Sequence, residues 1–206
     1  MNTGAVIVAA GMSSRMNAFK PMLRLRNSTV IETAISTLSS AGIGEIAVVT
    51  GNHSRILMKH LSTAEVTCLY NGRYNTTDMF DSAKLGLSFL KDHCSRIFFL
   101  PGDVPLFSKR SLALMTEEMD RTGCKILLPM HEGQMGHPIL IDSSAVSSLL
   151  LYQGSEGLKG AIDSFGGLTR TIELDDEGML LDADTPEDYE RLLEYAEQHP
   201  DDNSND

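Results

Sequence analysis

The residues best suited to chemistry begin near the N-terminus, in a loop of small residues that carries two cations. An apolar run from Ala5 to Val8 leads into AAGMSSRMNAFK, which contains Arg15 and Lys20. Small residues let main-chain NH groups approach phosphate oxygens, and two cations neutralise a triphosphate. The loop is neither a Walker sequence nor a GxGxxG motif. It predicts a phosphate-binding turn; a tight strand-to-helix turn with two solvated cations is the alternative.

Asp103 is the second candidate, in the segment PGDVPLF that follows the apolar run RIFFL. Ligands of open α/β sheets bind at the carboxyl ends of the strands, so this carboxylate is expected in the same crevice as the opening loop. Mg²⁺ prefers one or two carboxylates together with phosphate oxygens and water. Asp103 is therefore a candidate magnesium ligand, and a turn aspartate that caps the following backbone is the alternative.

A second ligand for that ion is expected in LLDADTPEDY, which contains Asp182 and Asp184. Two residues apart on an extended segment, they would face the same side. Asp184 is preferred because it directly precedes a strongly capped helix start, and Asp182 is the alternative. Helix N-termini favour acidic residues in any case, so a solvated acidic terminus also explains the pair.

Two further residues are candidates for binding an acceptor substrate. His137 lies at the turn into an extended run, and Lys159 lies in the glycine-rich segment GSEGLKG. A structural histidine and an ordinary mobile loop are the alternatives. The other five histidines have no metal-like spacing and receive no role.

Strand-length apolar runs and helical patterns alternate up to residue 121. The predicted strands are 5–8, 46–50, 66–70 and 96–100, and the predicted helices are 29–41, 53–61, 78–91 and 108–121. After Lys125 two extended runs, KILLPM and HPILID, suggest an antiparallel excursion. A helix at 143–152, a loop at 154–160, a short helix at 161–165, a strand at 169–174 and a last helix from Thr185 follow. This order predicts a Rossmann-like three-layer αβα fold with a mainly parallel sheet.

Composition favours one domain, residues 1–196, followed by a disordered acidic tail, residues 197–206. The chain has 206 residues, 42% of them hydrophobic, and a net charge of −11. Ten acidic residues and one basic residue lie after Leu181, which leaves 18 acidic and 16 basic residues before them. The opening is locally basic, with no acidic residue before Glu32. A polyanionic small ligand fits this pattern better than nucleic acid, which needs a broad basic field.

Targeting signals and membrane spans are not expected. The N-terminus lacks the pattern of a signal peptide, and no apolar run approaches 18 residues. Three widely spaced cysteines, Cys68, Cys94 and Cys124, do not suggest a disulfide framework. The expected location is the cytoplasm.

Four segments in order carry a family resemblance: VAAGMSSRMNAFKPML, PGDVPLF, GHPIL and LDADTPEDY. Together they resemble the nucleotidyltransferases of the molybdenum cofactor cytidylyltransferase type, whose fold is that of the nucleotide-diphospho-sugar transferases. The AAGxSSRM form is more similar to the cytidylyltransferase branch than to the guanylyltransferase branch. The stretch TDMFDSAKLGL is similar to the family segment GMSSSLRAGL, which lies along the nucleotide. The sequence differs from the family pattern at Asn17, in the turn, and at Asp81 and GSEGLKG, near where base and acceptor would sit.

The resemblance implies roles for specific residues. The nucleotide would be held by Ala9, Ala10, Gly11, Met12, Ser13, Ser14, Arg15, Lys20, Met79, Ser82 and Gly102. Catalysis would rest on Arg15, Lys20 and Asp103. Asp103 and Asp184, or Asp182 in its place, would hold Mg²⁺, while His137 would border a pterin acceptor.

The expected reaction is transfer of CMP from CTP to a molybdopterin-type phosphomonoester, with release of pyrophosphate. The implied partners are a nucleoside triphosphate, a phosphorylated acceptor and a molybdoenzyme or its maturation factors. Two alternatives stay open. The first is a sugar-phosphate or alcohol-phosphate nucleotidyltransferase, and the second is a non-catalytic nucleotide- or cofactor-binding chaperone of a molybdoenzyme.

Overall fold

The structure, a computed structural model, describes residues 2–11 and 18–200. Within these ranges the strands are β1 (Thr3–Ala9), β2 (Arg24–Leu25), β3 (Ser28–Thr29), β4 (Glu45–Thr50), β5 (Thr67–Tyr70), β6 (Arg96–Pro101), β7 (Ile126–His131), β8 (Gln134–Met135), β9 (Ile139–Asp142) and β10 (Thr169–Glu173). The helices are α1 (Val30–Ser40), α2 (Ser54–His60), α3 (Met79–Leu90), α4 (Lys109–Thr122), α5 (Ser143–Leu151), α6 (Gly157–Asp163) and α7 (Pro186–Gln198). Short 3₁₀ turns cover Lys20–Met22, Gly166–Leu168 and Glu177–Leu180.

One sheet organises the described chain, in the strand order β5-β4-β1-β6-β9-β7-β10. β1 pairs in parallel with both β4 and β6, and β5 extends the parallel part beyond β4. β9 runs antiparallel between β6 and β7, and β8 pairs antiparallel with β7. The predicted mainly parallel sheet with a small antiparallel excursion is confirmed.

Helices cover both faces of this sheet. The side chains of Ala5 and Ile7 pack on one face with α1, α2 and α4, whereas Val6 and Val8 pack on the other with α3, α5 and α6. Such near-continuous apolar strands are expected where both faces of a parallel sheet are buried. A smaller cluster joins α7 to the β2–β3 hairpin through Leu25 and Leu192.

Two helix starts have the capping boxes that their sequences predict. The Thr29 side chain accepts a hydrogen bond from the Glu32 NH at the start of α1, and Thr185 does the same with Asp188 at the start of α7. In both, the acidic side chain accepts a hydrogen bond from the backbone NH of the cap residue. The two bonds together satisfy NH groups that the first turn leaves unpaired.

Two local bounds differ from the predicted ones. α6 begins at Gly157, within the predicted 154–160 loop, where glycine accommodates a φ of +57° that other residues rarely adopt. α7 continues to Gln198, two residues past the predicted end of the domain. Residues 201–206 lie outside the described residues, so the disorder of the tail stays a prediction.

α3 packs unusually close to the central strand. A Cβ placed on Gly86 would lie 2.4 Å from Val6 Cγ1, so this helix position accepts no side chain. The close approach brings the N-terminal end of α3 to the carboxyl end of β1, which is the edge of the sheet where ligands of α/β proteins bind.

Neither membrane spans nor disulfides occur in the part of the chain that the structure describes. No helix there is both long and apolar enough to cross a bilayer. Cys94 and Cys124 are buried and Cys68 is half-buried, all three as free thiols.

Candidate functional site

A cleft opens at the carboxyl edge of the sheet, where β1 and β6 end side by side. Most of the predicted site residues that the structure describes line it. They are Ala9, Ala10, Gly11, Lys20, Met79, Ser82, Gly102 and Asp103. Residues that are distant in sequence are therefore brought together as the fold rule for parallel sheets predicts.

The floor of the cleft depends on a glycine. The Gly102 NH donates a hydrogen bond to the Val8 carbonyl over 2.9 Å, and an added Cβ at Gly102 would lie 3.1 Å from Ala9 Cβ. Glycine therefore lets the turn after β6 lie directly against the end of β1. This close contact sets the position of Asp103, the next residue.

Lys20 is the centre of a charged cluster at this edge. Its Nζ lies 3.0 Å from Asp103 Oδ2 and also donates a hydrogen bond to Asp184 Oδ1. Burial lowers the pKa of Lys20, but the hydrogen bond to Asp184 and the charge of Asp103 outweigh it, so that the pKa lies above its usual value. The ammonium is therefore held charged between two carboxylates.

Asp182 stabilises this cluster through the backbone of Asp184. Its Oδ1 accepts a hydrogen bond from the Asp184 NH over 3.1 Å, which fixes the backbone of Asp184 just before α7. Burial and the charges of Asp103 and Asp184 raise the pKa of Asp182. Of the two predicted ligands, Asp184 is the one whose carboxylate contacts Lys20, while Asp182 orients it.

The donor set of this cluster fits a hard divalent cation. Among the described residues, no group of three or more His, Cys, Asp or Glu side chains forms a metal site. Asp103 and Asp184 offer carboxylate oxygens that converge on one cation, the Lys20 ammonium. Mg²⁺ accepts such partial coordination because phosphate oxygens and water complete its shell.

A network of neutral polar side chains forms another wall of the cleft. Asn71, directly after β5, donates from Nδ2 to Thr77 Oγ1 at 3.1 Å and to Ser82 Oγ at 3.0 Å. Its Oδ1 accepts from the Arg73 NH over 2.9 Å. Thr77 and Ser82 line the cleft, as do Tyr74 and Asp78. The buried Asn71 therefore holds the turn between β5 and α3 in place.

Sequence reasoning assigned no role to Asn71 or Tyr74, and it placed Thr77 and Asp78 only within the stretch that resembles a family segment along the nucleotide. One signal was available: Asn71 is the first polar residue after a predicted strand, at the edge where ligands bind. Its hydrogen bonds to Thr77 and Ser82 depend on the turn between β5 and α3, which no local sequence pattern predicts.

Neither of the two predicted acceptor residues is among those that line the cleft, and they differ in placement. The His137 ring packs edge-on against Phe99, with centroids 6.2 Å apart, and its buried Nδ1 has no hydrogen-bond partner among the described residues. Burial lowers the pKa of His137 to about 4 against the opposing charge of Asp103, so the ring is neutral at pH 7. Lys159 is exposed and its Nζ lies 3.3 Å from Asp163 Oδ2 on the same helix. The structure does not bring Lys159 into the cleft.

Part of the predicted loop lies outside the described residues. This concerns the nucleotide-binding roles of Met12, Ser13 and Ser14, the catalytic role of Arg15 and the departure at Asn17. Their roles stay predictions.

A mainly parallel sheet whose carboxyl edge carries a lysine, two carboxylates and a cleft defines an α/β protein with its ligand site at that edge. The chain belongs to the MobA-like NTP transferase family, whose domain model matches residues 5–171. It is 26% identical to the molybdenum cofactor cytidylyltransferase of Escherichia coli K12, over 89% of this chain and 92% of that protein.

Solved structures share the fold. A nucleotidyl transferase from Methanothermobacter superposes with a TM-score of 0.80 at 22% identity, covering 96% of this chain and 98% of its own. A manganese complex of Rv0371C from Mycobacterium tuberculosis H37Rv superposes with a TM-score of 0.76 at 20% identity, covering 94% and 99%. These likenesses establish the nucleotidyltransferase fold.

Proposed function

We propose that this protein transfers CMP from CTP to the phosphate of a molybdopterin-type acceptor and releases pyrophosphate. The observation that carries the proposal is the Lys20 ammonium held between Asp103 and Asp184 at the mouth of the cleft. The family membership supports the reaction class. The cytidylyltransferase relative, at modest identity, supports the choice of CTP and of the acceptor.

The chemistry brings two anions together. An oxygen of the acceptor phosphate attacks the α-phosphorus of the triphosphate, a new P–O bond forms, and the bond to pyrophosphate breaks in line. An ionised phosphate needs no general base, so positioning and charge neutralisation dominate catalysis. This requirement matches a site whose described groups include a cation and two carboxylates.

The residues of the cluster divide these tasks. Lys20 contacts the α-phosphate and the incoming acceptor phosphate, and Gly11 leaves its backbone open to phosphate oxygens. Arg15, as the sequence predicts, stabilises the charge of the leaving pyrophosphate. Asp103 and Asp184 would hold Mg²⁺, which would supply positive charge to offset that of the reacting phosphates.

The acceptor side is proposed at His137. Because its ring is neutral at pH 7, it offers packing and hydrogen bonding rather than charge. A neutral group next to the charged cluster suits the uncharged ring system of an acceptor, whose phosphate then reaches Lys20.

A pyrophosphate-release assay tests base and acceptor together. CTP, GTP, ATP and UTP are each combined with Mg²⁺ and with a molybdopterin acceptor or one of several sugar phosphates. The expected result is turnover with CTP and molybdopterin. Turnover only with a sugar phosphate would replace the acceptor, and stabilisation by CTP without release in any combination would indicate a binding module instead.

A further inference from the structure

The wall at the start of α3 carries a carboxylate that the proposed reaction does not use. Asp78 caps the helix: its Oδ1 accepts a hydrogen bond from the Asp81 NH over 2.8 Å. Its Oδ2 has no hydrogen-bond partner within residues 2–11 and 18–200. Asp78 lines the same cleft as Lys20 and Gly102. The cleft thus has one acceptor oxygen available to a ligand on this wall.

The charges of this helix end determine how a nucleotide can lie. A helix N-terminus ordinarily attracts phosphate, because its free NH groups and its dipole favour negative charge. Here the N-cap position itself holds a carboxylate, that of Asp78. It repels phosphate, whereas Lys20 attracts it. The triphosphate is therefore directed toward Lys20 and the nucleoside toward α3.

The hydrogen-bonding groups of this wall are mostly committed already. The Thr77 hydroxyl donates to the Arg73 carbonyl over 2.9 Å and accepts from Asn71. Ser82 is buried and accepts from Asn71, which leaves its own O–H proton for a ligand. Ser82 lies four residues after Asp78 and so on the same side of the helix. Asp78 supplies an acceptor and Ser82 a donor to whatever lies beside them.

The start of α6 bounds the wall at the rim. A Cβ added to Gly157 would lie 3.7 Å from Asp78 Oδ2, its only neighbour within 4 Å among the described residues. The carboxylate oxygen therefore faces the gap between α3 and α6.

We infer that Asp78 is a specificity-determining residue that accepts a hydrogen bond from the nucleoside half of the nucleotide. The donor is either the exocyclic amine of the base or the ribose 2′-hydroxyl. An ionised carboxylate only accepts hydrogen bonds, so it favours the amine of cytosine and repels the carbonyl oxygen that uracil has in its place. The inference rests on the proposed function because it assumes a nucleoside triphosphate in this cleft.

The test compares nucleotide binding to Asp78→Asn and to the wild-type protein. Asparagine has the same shape and is as good a helix cap, so α3 is retained; circular dichroism verifies this. The dissociation constants of CTP, UTP and dCTP are measured with Mg²⁺ by titration calorimetry. Asp78→Asn is expected to weaken CTP binding about tenfold. If the amine is the donor, the preference for CTP over UTP should fall by the same factor. If the 2′-hydroxyl is the donor, the preference for CTP over dCTP should fall by that factor instead.

Asp81→Asn is the matched control. It removes the same charge from the same helix end, but its side chain lies in the neighbouring groove, where Oδ1 is 3.8 Å from Lys84 Nζ. Its CTP affinity is expected to stay within about twofold of wild type, since surface ion pairs contribute little.

Two results would overturn the role of Asp78 alone: wild-type affinities and preferences in Asp78→Asn, or equal losses in Asp78→Asn and Asp81→Asn. The second result would point to the general charge of the helix end. A wild-type protein that binds none of the three nucleotides would instead overturn the proposed function, and this inference with it.

Discussion

The two walls of the cleft hold their polar groups in different ways. On the charged wall, Lys20 meets Asp103 and Asp184 across 83 and 164 residues of sequence. On the neutral wall, named for its uncharged Asn71–Thr77–Ser82 network although Asp78 lies beside it, Asn71 meets Ser82 across 11 residues, within one strand–turn–helix unit. Full charges in a partly buried setting interact more strongly than neutral hydrogen bonds. We therefore expect the charged wall to control the rate and the neutral wall to control the fit of the nucleotide.

The largest effect is expected from Asp103→Asn. The amide keeps the shape of the side chain but removes the charge that holds a divalent cation and Lys20. Pyrophosphate release should fall about 10³-fold while circular dichroism stays unchanged. Asp175→Asn, at an exposed position away from the cleft, is the control for charge alone. Retained turnover in Asp103→Asn would remove the metal role from the charged wall.

Lys20→Ala tests the same wall through its cation. Turnover should fall about 10²-fold because the α-phosphate and the acceptor lose a positive contact. Mn²⁺ binding without nucleotide should become tighter, because no ammonium competes for Asp103 and Asp184; calorimetry measures this. Lys159→Ala, which removes an exposed lysine paired with Asp163, should change neither. Weaker Mn²⁺ binding in Lys20→Ala would contradict a shared cation position.

His137, which is close enough to Asp103 of the charged wall to feel its charge, should make the stability of the fold depend on pH. Its pKa is about 4 in the folded state, whereas the ordinary value is 6.5. As the pH falls from 6.5 to 4, the histidine therefore becomes protonated in the unfolded chain but stays neutral in the folded chain. Between pH 7 and pH 5 this histidine should cost about 2 kcal/mol of unfolding free energy. Urea unfolding at the two pH values measures the loss. His137→Gln should lose less over the same interval, and an equal loss in both proteins would disprove the burial effect.

Ser82→Ala is expected to have the smallest effect, on the neutral wall. The variant loses one hydroxyl contact and leaves one Asn71 donor unpaired, at a cost of about 1 kcal/mol. The KM for CTP should rise about fivefold with kcat unchanged. Ser88→Ala, on the exposed side of the same helix, is the control. A drop in kcat instead of a rise in KM would show that the two walls do not divide their tasks.

Local sequence patterns were enough to predict the central strand and the starts of two helices. The run from Ala5 to Val8 specifies a strand buried on both faces, and the capping boxes at Thr29 and Thr185 mark two helix starts. These features depend on neighbours within a few residues, so side-chain type and spacing determine them. The parallel strands in turn imply that residues after β1 and β6 share one edge, which is why Lys20 and Asp103 could be placed together.

Only the tertiary structure decided how the edge is arranged. The sequence favoured Asp184 over Asp182 only because Asp184 precedes a helix start; the packing of α7 directs the Asp184 carboxylate to Lys20 and leaves Asp182 to accept from a backbone NH. The exposed Lys159 had the right charge but lies outside the cleft. Which polar groups meet depends on how separate elements pack, and packing is a property of the whole chain rather than of any segment.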